Sequence, residues 1–526
     1  MSKTVKNKLP VLLSLIILIG LGIGLRLWHL EDLFHFTYDE EIIAFVGKRM
    51  FVNRHIPLIG GVTPMHVHLS PYFYWLSGIL LYISRLDPLG WGVVAAILAG
   101  LTMIALYFLG KNLFGIRAGL IAVFLYSFSF YQNIFDRHYW GLAFDGIISL
   151  LVLISLFQIV NKKKHFTYLL VVALAFGFHT DPSTLVLFVL TCVSWWIFKI
   201  KISSNTFLGA IFIFILTFMP LFVFDIKHSF TNSQGIFKYV EELKQGRRGV
   251  IGQSPESTLL FIPRALARTL YVFGDTNLAK QYSYCPQHVI RRLNHVPFIA
   301  SVGIFILIGI LIFSFIKSDQ LPEQVGLKLI LLFVVSLYIG ISIYGLLFKG
   351  DLFDHYLATL FPVFFISVGY VLARLSRKLP FLVFIVLGVI VCSNVRQLLT
   401  VKHEFGYADK VKAVKWAIAT VGDNDFSLDV LSSCFRYNGY RYLFYLFGKE
   451  PVKSYVDANF TYLYDTPPAT THPKYLIVLT NPDNPEAETY WKEYTRYKTK
   501  LITSSQFGTI EVLVVDNSQL DFVGKF

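Results

Sequence analysis

The sequence predicts a polytopic α-helical membrane protein with a small α/β domain outside the bilayer. Two observations carry the membrane part. Hydrophobic residues fill 55% of the 526 positions and charged residues only 15%, with a mean hydropathy of +0.58, the composition of a chain dissolved largely in lipid. Apolar runs then recur with polar turns between them up to about residue 395. A third observation sets off the tail. From Lys402 to Phe526 the long runs stop and short apolar segments alternate with polar, proline-bearing stretches.

The runs fall at 10–28, 88–109, 119–134, 142–160, 166–178, 184–198, 207–224, 296–316, 327–347, 356–373 and 380–395. They read as about 11 transmembrane helices, several shorter than the roughly 20 residues a span prefers. The run 71–83 is shorter again and rich in aromatics, and reads as a helix lying at the interface. Lys3, Lys6 and Lys8 precede the first span and place the N-terminus in the cytoplasm. Counting forward, Lys111/Arg117, Lys162–Lys164, Lys199/Lys201, Lys317 and Arg374/Arg377/Lys378 then all fall on cytoplasmic turns, provided 71–83 does not cross.

The formal charge of +14 is therefore in part a topology signal. No cationic run interleaved with stacking aromatics sits on a soluble module, which argues against nucleic acid as a partner. The first span has no small-residue cleavage site after it and reads as an anchor rather than a signal peptide. Cys192, Cys285, Cys392 and Cys434 are scattered with no CxxC pair, and only Cys285 with Cys434 could form an external bridge.

On this topology the outer side receives the loops 30–87, 135–141 and 225–295 and everything after about residue 394. The chain divides into a transmembrane domain, 1–397, and an extracytoplasmic α/β domain, 398–526. In the latter, 408–421 has helical spacing, as do 437–447 and 486–497, while 428–431, 475–479 and 510–515 read as buried strands. Nothing in this tail has a catalytic signature, so recognition or lid formation is its expected role.

The first outer loop carries the chemistry. Asp39-Glu40-Glu41 open a helix whose apolar positions are Ile42, Ile43, Phe45 and Val46, so the acids sit at its positive end. One reading is an N-cap with first-turn acids on a solvated helix. The other is a reactive carboxylate pinned at the membrane face, because other outer segments bring complementary groups: Asp136-Arg137-His138, His179-Thr180-Asp181, Lys227-His228, Asp351 and Asp354-His355. This set suits transfer of a sugar from a lipid-phosphate carrier. A carboxylate near Asp39 would take the proton of an acceptor hydroxyl, an effect worth about 10²–10⁴-fold. A cation would stabilise the departing phosphate, and the planar fork of Arg137 matches phosphate oxygens.

The remaining motifs each admit two readings. His66 and His68 are either interfacial histidines or phosphate or metal contacts. Arg26 either snorkels from the first span or meets a donor phosphate. Lys244, Arg247 and Arg248 form either a solvated face or an anion contact. Tyr356 either anchors a span end or reaches the site with His355. No HExxH or Cys/His set is present, so no metal centre is expected, although a divalent cation beside Asp39 and Glu40 remains an alternative. Gly60-Gly61 provides a tight turn and no phosphate cradle follows it.

Tyr38-Asp39-Glu40-Glu41-Ile42-Ile43-Ala44 with Gly47-Lys48-Arg49-Met50 resembles the first-loop Asp-Glu signature of the protein O-mannosyltransferase-like glycosyltransferases of family 39. That group has the C-type glycosyltransferase fold, and the lipid A aminoarabinose transferase is a relative. His68–Leu76 is similar to the group's tyrosine-rich second juxtamembrane segment, Leu113–Gly119 to its cytoplasmic turn, and Phe135–Trp140 to the segment after the third span. Pro220–His228 is similar to a further segment of bacterial members. Together these cover about the first 230 residues in order.

The resemblance implies an inverting transferase of the outer face of the plasma membrane. Its partners would be a polyprenyl-phosphate sugar donor and an acceptor hydroxyl on a protein, lipid or glycan. Asp39 would be the catalytic carboxylate, with Glu40 supporting it or holding a cation. Leu69-Ser70-Pro71 stands where the group carries Lys-Pro-Pro or Gly-Pro, so a phosphate-touching lysine is missing and His66 or His68 would substitute. The second carboxylate has no clean counterpart, leaving Asp136 and Asp145. The rival class is a transporter or flippase of a lipid-linked or polar substrate. Such a protein should carry ionisable or broken-helix elements near the bilayer midplane in repeated halves, which this sequence lacks.

Overall fold

A computed structural model describes residues 9–34, 36–63, 65–245, 255–273, 293, 295–401, 406–431, 439–457, 473–481, 490–518 and 520. Its membrane part is α1 (Leu9–Leu27), α2 (Tyr38–Phe51), α3 (Tyr72–Ile83), α4 (Leu89–Phe114), α5 (Ile116–Phe128), α6 (Asp145–Val160), α7 (Phe166–Thr180), α8 (Leu185–Ile197), α9 (Ser204–Lys227), α10 (Thr231–Lys244), α11 (Pro255–Leu270), α12 (Phe298–Lys317), α13 (Leu321–Ser342), α14 (Phe361–Leu375) and α15 (Pro380–Thr400). Among the described residues seven helical stretches have the length and apolar composition to cross a membrane, and shorter apolar helices accompany them. Every apolar run expected to span coincides with one of these helices. The protein is a multi-pass membrane protein.

Burial sorts the helices. Only 17% of α1, α9 and α15 is covered, against 61% of α4 and of the stretch Gly141–Val160. The former present Leu12, Ile16, Phe212 and Phe384 outward, and the latter form the centre of the bundle. Small residues set the closest crossings. A Cβ on Gly110 would lie 3.0 Å from the Gly119 Cα, so α4 and α5 approach at backbone distance. The run expected at 119–134 breaks at Ser129, whose extended backbone ends α5 and whose side chain caps the short helix Phe130–Phe135.

The interfacial reading of 71–83 fits the packing. α3 lies against α2, and a Cβ on Gly47 would lie 3.1 Å from the Gly78 Cα. α10 is a second amphipathic helix. It buries Asn232, Gly235 and Leu243 and exposes Ile236, Phe237 and Val240. The basic turns gather at one end of the bundle, where Arg374 reaches Glu323 at 2.7 Å. The acidic loops gather at the other end.

The tail folds as α16 (Tyr407–Val421), β1 (Phe426–Val430), α17 (Tyr440–Leu446), β2 (Lys453–Ser454), β3 (Tyr475–Thr480), α18 (Tyr490–Lys498), β4 (Leu501–Phe507) and β5 (Ile510–Asp516). The sheet order is β2-β1-β3-β5-β4, with β1 parallel to β2 and β3, and β5 antiparallel to β3 and β4. The three expected strands are present, buried along nearly their whole length. β4 was not expected, because Thr503, Ser504, Ser505 and Gln506 give it a polar character suited to an edge. Cys285 and Cys434 lie outside the described residues, as do Arg247, Arg248 and the first residues of two expected helices.

This domain sits directly on the first outer loop. Lys410 Nζ donates to the Phe36 carbonyl at 2.5 Å, Tyr407 to Asp87 at 2.6 Å and the Tyr442 hydroxyl to the Leu86 carbonyl at 2.9 Å. Gly439, at φ +78°, brings its backbone against Phe36, where a Cβ would meet the ring at 2.5 Å. The extramembrane domain thus braces the segment that leads into α2.

Candidate active site

The local sequence Thr37-x-x-Glu40 folds as a capping box. Thr37 is the N-cap of α2, and its hydroxyl and backbone N–H donate to Glu40 Oε2 at 2.7 and 2.9 Å. Glu40 Oε1 contacts His138 Nε2, and both side chains are buried. Burial alone would raise the Glu40 pKa, but the His138 charge and the donors of His138 and Thr37 hold it below its ordinary 4.5. Both oxygens of Glu40 are therefore engaged in fixing the first turn. Glu40 caps the helix as one reading of the triplet has it, but buried against His138 rather than solvated.

Asp39 differs. Its residue is exposed to solvent while protein surrounds it on most sides. Burial, with the charges of Glu40 and Asp181 adding to it and His138 opposing, pushes its pKa from 3.8 up to about 6. A solvent-reachable carboxylate poised there can accept a proton near neutral pH. Ile42, Val46 and Arg49 continue its helix face at 3- and 4-residue spacing. These three line a cavity of about 410 Å³ closed by Pro57–Val62, His55 and His68. A wider hollow of about 600 Å³ between His29–Asp32 and Asp87–Val93 contains none of these acids.

Two segments bring further carboxylates. Gly141 packs so tightly that a Cβ would lie 2.1 Å from the Thr180 carbonyl oxygen, which joins the turn before α6 to the turn after α7. Ser183 bridges them: its hydroxyl donates to Asp145 Oδ2 at 2.8 Å and its backbone N–H to Asp181 Oδ1 at 2.7 Å. Asp181 is pushed up by burial and stands close enough to raise Asp39. Among the described residues no three His, Cys, Asp or Glu side chains converge as a metal site.

The fold moves several expected residues away from this cleft. Asp136 accepts from Arg26 at 2.6 and 2.8 Å, Tyr126 at 2.9 Å and Gln132 at 2.7 Å. It is the counter-ion of a fully buried arginine, which corrects both its reading as second carboxylate and the snorkelling of Arg26. Arg137 was expected at a donor phosphate. It is buried instead, donating to the carbonyls of Leu25, Arg26 and Trp28 at 2.6–3.1 Å, where the carbonyls left over at the end of α1 attract a cation.

His66 and His68 take different partners. His66, at φ +57°, lies 3.1 Å from both oxygens of Glu242, and His68 packs edge-on to Phe224 at 4.8 Å. Of the expected set, Asp39, Glu40 and Asp145 are linked through His138, Asp181 and Ser183, and His68 lines the cavity beside α2.

Residues of the other segments expected to bring complementary groups complete the site, joined by Trp140. His138 stacks on Trp140 at 4.2 Å, Trp140 meets His355 at 5.4 Å, and His355 meets Tyr356 at 4.9 Å, a continuous aromatic wall. Arg268 pairs with Asp354 at 2.9 Å behind that wall. The approach of the segments bearing His138, Asp181, His355 and Tyr356 was expected from the sequence; the stacking of Trp140 between His138 and His355 was not.

The whole architecture has a counterpart. ArnT from Cupriavidus metallidurans, solved bound to undecaprenyl phosphate, aligns over 95% of this chain and 97% of its own with a TM-score of 0.55. This is the C-type glycosyltransferase fold. Identity to ArnT is 11%, so the likeness is one of architecture. The Archaeoglobus fulgidus oligosaccharyltransferase AglB, in complex with an inhibitory peptide and a dolichol-phosphate, aligns over 98% of this chain and 75% of its own at 13% identity, with a TM-score of 0.48; nothing is built on that weaker likeness. No family model and no curated protein matches the sequence.

Proposed function

We propose that the protein is a glycosyltransferase that moves a sugar from a polyprenyl-phosphate carrier to an acceptor hydroxyl on the outer face of the plasma membrane. The observation that carries this reading is the separation of roles inside one acidic triplet. Glu40 is locked by Thr37 and His138, while Asp39, solvent-exposed on the same helix turn, has its pKa raised to about 6. The shared fold with ArnT, a protein solved with undecaprenyl phosphate, supports a lipid-phosphate donor.

In this mechanism the acceptor oxygen attacks the anomeric carbon as its proton passes to the Asp39 carboxylate. The bond from that carbon to the phosphate oxygen breaks, its electron pair leaves with polyprenyl phosphate, and the anomeric centre inverts. Asp181, tied to Asp145 through Ser183, is the second carboxylate and keeps Asp39 basic. Arg264 is assigned to the leaving phosphate. It lies one turn before Arg268 on the same face of α11, with its side chain 13% exposed and 3.9 Å from the exposed Glu256, a partner that phosphate would replace. The domain 398–526 braces α2 and bounds the acceptor side.

The test is transfer by purified protein from a panel of undecaprenyl-phosphate sugars to cell-envelope acceptors. Asp39→Asn should lose at least 10²-fold in turnover while retaining donor binding. Full turnover by that variant would sink the reading. Arg264→Ala should weaken product undecaprenyl-phosphate binding, and unchanged binding would remove Arg264 from the site.

A further inference from the structure

The mechanism above leaves unused a cluster of three phenols on the far side of the aromatic wall. Tyr239 comes from the interfacial helix α10, Tyr344 from the π-helical turn Ile343–Leu347 that ends α13, and Tyr356 from the short helix Asp354–Leu357. The Tyr344 hydroxyl interacts with both other phenols. The Tyr344 and Tyr356 rings meet edge to face at 6.2 Å and 80°. All three residues are half-buried, so each ring is held while part of its edge stays open.

This arrangement is built rather than incidental. A π turn widens the helix by one residue and is found mostly at functional sites; here it turns Tyr344 inward. Gly350 then closes behind the ring, where a Cβ would lie 2.3 Å from its Cζ, so only glycine leaves room for the phenol.

The cluster also adjoins the cleft of Asp39. His355, beside Tyr356, continues through Trp140 and His138 to Glu40. Asp181 acts electrostatically on both Asp39 and Tyr356.

We propose that Tyr239, Tyr344 and Tyr356 form the subsite that reads the hydroxyl groups of a neutral sugar on the donor. The inference rests on the glycosyltransferase reading and deepens it. A phenol both donates and accepts, which matches sugar hydroxyls. The half-buried Tyr356 ring offers an apolar surface to the C–H face of a pyranose. Asp181 and Asp351 flank the phenols with negative charge, which repels a uronic acid. When donor enters, the phenol hydroxyls exchange their contacts with one another for sugar hydroxyls.

The experiment uses the full chain in lipid nanodiscs with undecaprenyl-phosphate donors carrying a neutral hexose, its single-deoxy analogues, the uronic acid and the 2-amino sugar. Tyr344→Phe and Tyr356→Phe keep the rings and remove the hydroxyls; Tyr239→Phe, on the peripheral α10, serves if either fails to fold. Each should raise the donor KM about tenfold with kcat within about twofold, the effect of one neutral hydrogen bond. Binding of undecaprenyl phosphate without sugar should be unchanged. One deoxy donor should lose about as much with wild-type protein and nothing further with the matching variant.

Wild-type KM and selectivity in the phenylalanine variants, or preference for the uronic or amino sugar, would overturn the proposal while leaving the transferase reading intact. Failure of the wild type to use any donor would overturn both.

Discussion

Glu41 Oε1 accepts the backbone N–H of Tyr442 at 2.8 Å, so the acid two places beyond the candidate base ties α2 to the C-terminal domain. Three adjacent carboxylates thus have three environments: Asp39 is exposed to solvent, Glu40 closes the helix cap, and Glu41 holds the C-terminal domain. Lys48 adds a second tie, lying 4.2 Å over the Tyr445 ring and 3.9 Å from Glu450.

Removing that acceptor should loosen the domain without touching the chemistry directly. Glu41→Ala leaves the Tyr442 N–H buried without its partner, at a cost of about 1–3 kcal/mol, whereas Glu41→Gln keeps an acceptor oxygen. Hydrogen exchange across 407–421 and 440–446 should quicken in the first variant and stay near wild type in the second. The pH dependence has a definite sign. Burial raises Glu41 from 4.5 to about 7, so the folded state holds the proton more tightly than the unfolded one. The contribution is present below about pH 4.5 and is lost as pH rises through about 7. Glu41→Gln should flatten that slope.

A base with its pKa raised to about 6 works only when deprotonated. The transfer rate kcat/KM should therefore fall below about pH 6, tenfold per unit, and level off above it. Because Asp181 is one of the charges raising Asp39, Asp181→Asn should move this limb to lower pH. A limb that does not move would separate Asp181 from the base.

Asp136→Ala should cost stability rather than donor affinity. It leaves Arg26, fully buried, without its counter-ion, a change worth about 3–5 kcal/mol. The expected result is a sharp fall in folded yield and thermal midpoint. A stable protein with only a raised donor KM would restore Asp136 as a substrate contact.

Gly141→Ala tests how the second carboxylate is placed. Its Cβ would lie 2.1 Å from the Thr180 carbonyl oxygen, so one of the two turns must move. Overpacking of this kind costs about 1–3 kcal/mol and should separate Asp145 from Ser183. Lower kcat with little change in donor binding is expected. Wild-type kcat would show that the junction is not needed for catalysis.

Much of this architecture was legible because it is written locally. Apolar runs gave the helices, Pro71–Ile83 was short and aromatic enough to read as interfacial, and the alternation of the tail gave β1, β3 and β5. The helix that bears Asp39 was legible from the spacing of Ile42, Ile43, Phe45 and Val46. What stayed hidden depends on partners distant in sequence. Arg26 and Asp136 stand 110 positions apart, and each alone looks like an interfacial charge free to act on substrate. Arg137 looked like a phosphate ligand because nothing local announces the three carbonyls that hold it. β4 stayed hidden for the opposite reason: an edge strand needs no apolar pattern.

The Arg26–Asp136 pair also constrains how the molecule is made. The first span emerges during synthesis long before its counter-ion exists, and its arginine stands in the last turn of α1, from which a lone side chain can snorkel to headgroup water. Until the segment carrying Asp136 threads into place, the nascent helix must sit with its guanidinium drawn toward headgroup water. Arrival of the aspartate, with Tyr126 and Gln132 already beside it, is what lets that helix settle, so the second ion acts as a latch on insertion order.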